Sequence, residues 1–114
     1  MKWLICCMLV MTTSLFADLY EEAEEQYALA KYDQAAVSFE RFYLKHPTDE
    51  RAVLSLFKSA QSYFFARNIS ERYEQRAFEI FDKLLILQEP EDQFYYKSLL
   101  FKTHMLIEKK EYAV

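Results

Sequence analysis

Leu19-Tyr20-Glu21-Glu22-Ala23-Glu24-Glu25-Gln26-Tyr27 returns 37 residues later as Leu56-Phe57-Lys58-Ser59-Ala60-Gln61-Ser62-Tyr63-Phe64. In both stretches the large apolar residues and a central alanine fall four and eight positions apart, the stripe of an amphipathic helix. A second stripe, Ala35, Phe39 and Phe42, returns as Ala77, Phe81 and Leu84, and Pro47 returns as Pro90. Self-similarity at such a period is the signature of stacked supersecondary units. Small Ala23 and Ala60 let one helix of a pair approach its partner, while the aromatic residues fill the next groove. Counting from Pro90 as from Pro47 places Leu99, Leu100, Thr103 and Ile107 on the matching stripe of a further helix. The reading is an all-α chain of helical hairpin repeats, two pairs plus one further helix, arranged as an α-solenoid.

Composition agrees. The 114 residues contain no glycine and only two prolines, with 53% apolar and 28% charged residues. Phosphate-cradling loops of the Walker and GxGxxG kinds need glycine, so nucleotide-binding enzymes of those types are excluded. Five helices are predicted. The first stops near Lys31-Tyr32, with Asp33 as N-cap of the second. The second ends at His46, because Pro47 disfavours an α conformation in the residue before it. Thr48 or Asp49 caps the third, Ser70 caps the fourth, Pro90 ends the fourth, and the fifth runs from about Asp92 to the last residue. Connections this short make neighbouring helices antiparallel.

The first 17 residues, MKWLICCMLVMTTSLFA, have a different character. One lysine precedes an apolar run from Trp3 to Met11, and a small residue, Ala17, follows a polar patch. This is the layout of a secretory signal peptide cleaved after Ala17, leaving a domain of residues 18–114. The run is shorter than the ~20 apolar residues of a membrane-spanning helix. Both cysteines, Cys6 and Cys7, lie inside it, and Cys6 follows Ile5 too early for a lipoprotein cleavage site. Loss of the segment leaves no cysteine for disulfides or thiolate metal sites. It also removes Lys2, leaving 13 basic against 18 acidic residues and a net charge of −5, which opposes nucleic acid and anionic lipid as partners.

Ala30-Lys31-Tyr32-Asp33-Gln34-Ala35, followed by Phe39-Glu40-Arg41-Phe42 and by Lys45-His46-Pro47, resembles a tetratricopeptide repeat. It is most similar to the variant of the BamD-like outer-membrane assembly lipoproteins, in which an F-x-x-F…P pattern replaces the usual small residue. The resemblance covers residues 18–114, in a shortened form without the lipid-bearing cysteine. It implies a periplasmic scaffold at the inner face of the outer membrane that binds partner subunits and unfolded peptide segments without catalysis. A periplasmic repeat adaptor for envelope or division machinery is the related alternative. A membrane-tethered structural fragment of a longer repeat protein is the other.

No residue pattern points to an enzyme, a cofactor, a metal or a small-molecule substrate. His46 suits the negative end of a helix dipole. His104 stands alone, whereas zinc needs three or four ligands. Glu21, Glu22, Glu24 and Glu25 suit the positive first turn of a helix. Asn68-Ile69-Ser70 fits a glycosylation sequon, but Ser70 already serves as a cap. The resemblance implies that the first helix of each pair lines a concave surface, which makes Tyr20, Glu24, Tyr27, Phe57, Gln61 and Phe64 the candidate peptide-binding residues. The rival role for these aromatic residues is packing between repeats. The last helix has no second helix to cover it, so Phe94, Leu99, Leu100 and Phe101 are candidates for docking a partner or a second copy.

Overall fold

The computed structural model describes residues 18–112, which are all-helical. The signal-peptide reading of residues 1–17 lies outside the described residues. Five helices follow in order: α1 (Leu19–Ala28), α2 (Tyr32–Lys45), α3 (Ala52–Phe65), α4 (Glu71–Leu87) and α5 (Gln93–Tyr112). Each packs chiefly on its neighbours in sequence, and α3 also touches α5.

Helix ends show how a chain without glycine turns. Asp18 caps α1, its Oδ1 accepting from the Glu21 N–H at 3.0 Å. At the other end Lys31 N–H donates to the Gln26 carbonyl at 2.9 Å and Ala30 N–H to that of Tyr27 at 3.0 Å. This is a Schellman closure, which requires a left-handed residue. Ala30 supplies it at φ 59°, a position where a Cβ costs about 1–2 kcal/mol. The first helix therefore stops at Ala28, three residues before the expected Lys31. Lys31 takes the cap position of α2 without a side-chain cap bond, and Asp33 sits in the first turn as a favourable charge instead of capping it.

Asp49 also serves differently from expectation. Arg51 holds the cap position of α3, and Asp49 Oδ1 accepts from the Arg51 N–H at 2.8 Å just outside the helix. Ser70 caps α4 as expected, accepting from the Arg72 N–H at 3.2 Å. Asp92 Oδ1 accepts from the Phe94 N–H at 2.8 Å at the start of α5. The two prolines follow the ends of α2 and α4.

The main core joins Ala36, Leu56, Phe57, Ala60, Tyr63, Phe64, Ala77, Ile80, Phe81, Leu84 and Met105, and a smaller one joins Ala23, Ala35 and Phe39 beneath Tyr20 and Tyr27. Ala23 and Ala60 are fully buried, the close approach expected of them. Helix α3 lies at the centre and buries residues on most of its circumference. Buried serines make this possible. Ser55 Oγ donates to the Phe39 carbonyl of α2 at 2.8 Å, while Ser59 and Ser62 turn their hydroxyls back to Leu56 and Lys58 carbonyls. Small side chains with satisfied hydroxyls let α3 be crowded without stranding polar groups. Side-chain contacts tie alternate helices. Glu24 of α1 meets Lys58 of α3, Glu40 of α2 meets Arg76 of α4, and Phe64 of α3 meets Phe101 of α5.

Candidate functional site

The six candidate peptide-binding residues divide into two groups. Phe57 and Phe64 are 5% and 6% exposed and are corrected to core positions. Helix α5 covers them, with the Phe101 ring 5.9 Å from Phe57 and 5.2 Å from Phe64 between centroids. Tyr20, Glu24, Tyr27 and Gln61 remain half-exposed.

Around Tyr20 the contacts are dense. Its ring meets Phe39 and Phe42 edge-on at 5.7 and 5.6 Å, so its apolar face belongs to the small core. Lys58 Nζ donates to its hydroxyl at 3.3 Å and to Glu24 Oε1 at 2.6 Å. The Lys58 and Tyr20 hydrogen bonds hold the Glu24 carboxyl below its ordinary value. Burial works against the Lys58 ammonium, but the bonds to Glu24 and Tyr20 together raise its pKa. Arg51 extends the network, with its guanidinium over the Tyr20 and Phe42 rings and an ion pair to Asp18 at 3.0 Å. Charge here is internally matched, so the network orients α1 against α3.

Tyr27 belongs to a different cluster, one that sequence spacing missed. Its ring lies 5.3 Å from Tyr32 and 6.4 Å from Phe65, and Tyr32 and Phe65 are 5.2 Å apart. Phe65 is 41% exposed. Three rings from the ends of α1 and α3 and the start of α2 thus form an aromatic surface patch. Burial raises the Tyr27 pKa first, and Tyr32 adds to it, so the Tyr27 phenol stays a neutral donor and acceptor at neutral pH. Such a patch offers rigid apolar area and hydroxyls that suit peptide side chains and backbone.

In the turn after α3, Arg67 reaches Glu108 of α5 at 3.2 Å, and His104 Nε2 is 3.1 Å from the same carboxylate. His104 also lies edge-on to Phe64. Between α2 and α4 an open groove of about 540 Å³ is lined by Val37, Glu40, Tyr63, Tyr73 and Arg76. Its Glu40 carboxylate is already held by Arg76 and by the Tyr63 hydroxyl at 3.1 Å. Burial, then Glu40, pushes the Tyr63 phenol up. Among the described residues no three His, Cys, Asp or Glu side chains come together as a metal site. No helix among them is long and apolar enough to cross a membrane.

The four candidate docking residues on α5 also divide. Phe94 and Phe101 pack on the core, Phe101 stacked on Phe81 at 4.9 Å with the rings 9° from parallel. These two are corrected to inward-facing positions. Leu99 and Leu100 face out at 42% and 53% exposure, and Tyr96, Leu106 and Ile107 join them. The helix is apolar on two opposite faces, one against α3 and α4 and the other exposed among the described residues.

Comparison with protein families, with curated proteins and with solved structures found no match.

Proposed function

We propose that the chain is a non-catalytic scaffold of tetratricopeptide-like helical hairpins, an α-solenoid that grips polypeptide. We place it in the bacterial cell envelope, in outer-membrane protein assembly, on the resemblance of Ala30–Pro47 to the BamD-like repeat. Residues 1–17 would direct it to the periplasm. Neighbour-by-neighbour packing, with contacts linking α1 to α3, α2 to α4 and α3 to α5, supports the repeat reading.

The observation that carries the binding role is the Tyr27–Tyr32–Phe65 patch beside the Glu24–Lys58 pair. It is an apolar anchor next to a polar rim, the combination that recognises extended segments. Fluorescence anisotropy with labelled peptides taken from strands of an outer-membrane β-barrel tests it. Saturable binding is expected, weakened at least about tenfold (~1.4 kcal/mol) by Phe65→Ser with the helical circular dichroism unchanged. Equal affinity for a Ser/Glu-rich control peptide, or no effect of Phe65→Ser, overturns the reading.

A further inference from the structure

The Tyr27–Tyr32–Phe65 patch differs in one respect from most aromatic side chains around it. Seven rings elsewhere carry an Arg or Lys of their own chain, from Arg67 over Phe64 at 4.0 Å to Lys97 over Phe94 at 6.0 Å. Tyr20, on the same stripe as Tyr27, carries two, Arg51 and Lys58. Among the described residues no Arg or Lys lies over Tyr27, Tyr32 or Phe65. These three rings meet edge-on or tilted, which does not use up their electron-rich faces as stacking would.

The charge around the patch has one dominant sign. Residues 18–34, which supply Tyr27 and Tyr32, carry six carboxylates against Lys31 alone. Two of the six are matched, Asp18 by Arg51 and Glu24 by Lys58. Glu21, Glu22, Glu25 and Asp33 have no ion-pair partner among the described residues. Unclaimed ring faces and an excess of carboxylates ask for the same thing, a cation with a flat or apolar body. We infer that the patch, acting as the peptide-binding site proposed above, selects segments that carry arginine and takes the guanidinium across the Tyr27, Tyr32 and Phe65 rings.

Arginine answers both features at once. Its guanidinium is planar and weakly hydrated, so it stacks on aromatic faces at less desolvation cost than the compact ammonium of lysine. Its N–H groups can also donate to the phenol oxygens of Tyr27 and Tyr32. A leucine in the same place gains ring contact but nothing from the carboxylates. An acidic side chain meets like charge and is disfavoured. The fold already uses the arrangement once, where the Arg51 guanidinium lies 5.0 Å from the Tyr20 ring centre and 4.8 Å from that of Phe42 while pairing with Asp18.

Fluorescence anisotropy with three labelled peptides tests the assignment. They share one β-barrel strand sequence and differ only in a central Arg, its uncharged isostere citrulline, or Leu. The Arg peptide is expected to bind about three- to tenfold more tightly than the other two. Its advantage should shrink without vanishing as salt rises from about 0.05 to about 0.3 M, because only the carboxylate field is screened strongly. Tyr27→Leu and Phe65→Leu, made singly, keep apolar bulk and each remove a ring, so each is expected to narrow the gap between the Arg and citrulline peptides with helicity retained. Equal binding of the Arg and citrulline peptides to the parent chain overturns the arginine assignment and leaves the peptide-binding reading standing. A preference untouched by both substitutions does the same. No binding of any of the three peptides overturns both.

Discussion

Phe101 and Leu100 are adjacent in sequence and face opposite ways, which makes them a matched pair for testing how α5 is seated. The Phe101 ring stacks on Phe81 at 4.9 Å and meets Phe64 and Phe57 at 5.2 and 5.9 Å. Replacing a fully buried Phe by Ala costs about 3–5 kcal/mol. Phe101 is only half-buried, so about 2–4 kcal/mol is expected, including the loss of its aromatic pairs at ~0.5–1.5 kcal/mol each. Set against a typical domain stability of about 5–15 kcal/mol, that loss detaches α5 or leaves the fold marginal. Leu100, 53% exposed, is expected to cost within about 0.5 kcal/mol as Leu100→Ala. Urea titration followed by circular dichroism, at concentrations where the chain is monomeric, gives both values. Amide exchange should show α5 losing protection first in Phe101→Ala. Equal costs for the two variants would refute the seating of α5 on α3 and α4.

Ala30→Gly is expected to stabilise the chain by about 0.5–1 kcal/mol, because relief of left-handed strain of ~1–2 kcal/mol outweighs the entropy that glycine loses; thermal denaturation reads it as a rise of a few degrees. The Ser98 hydroxyl is buried without a hydrogen-bond partner, so Ser98→Ala should be neutral or stabilising by up to about 1 kcal/mol, and a clear loss of stability in urea would contradict that. The Glu24 carboxyl is held down by Lys58 and then Tyr20; a depressed folded pKa means stabilisation present above the ordinary carboxylate value and lost as pH falls through the folded one. Its side chain is 44% exposed and screened by water, so the contribution is below about 1 kcal/mol. Stability of the parent chain should therefore fall more steeply than that of Glu24→Gln from about pH 5 to pH 3, and parallel curves would refute the pairing.

The helices were legible because apolar spacing and prolines act locally. Ser70, Pro47 and Pro90 stand where helix ends were expected, and Ala23 and Ala60 are buried as the stripe required. The turn after α1 was not legible, since the residue that normally announces a left-handed position is absent and Ala30 takes its place. Periodicity also does not say how many sides of a helix will be covered. Phe57 and Phe64 share a stripe with Ala60, yet α3 sits in the middle of the molecule, where α5 closes over that stripe. The Ser55, Ser59 and Ser62 positions that permit this crowding carry no apolar signal in the sequence. Tyr32 and Phe65 escaped notice for another reason. They stand at the ends of different helices, and only the packing of α1, α2 and α3 brings them to Tyr27.

Because each helix leans on the ones beside it in the chain, most stabilising contacts close short loops of polypeptide. Such low contact order places folding in the microsecond-to-millisecond range, with hairpins forming before distant segments meet. The same topology makes disassembly piecemeal. Helix α5 can peel away while α2, α3 and α4 keep their mutual contacts, so a protease or an unfolding force would meet these helices as a series of releases instead of one cooperative collapse.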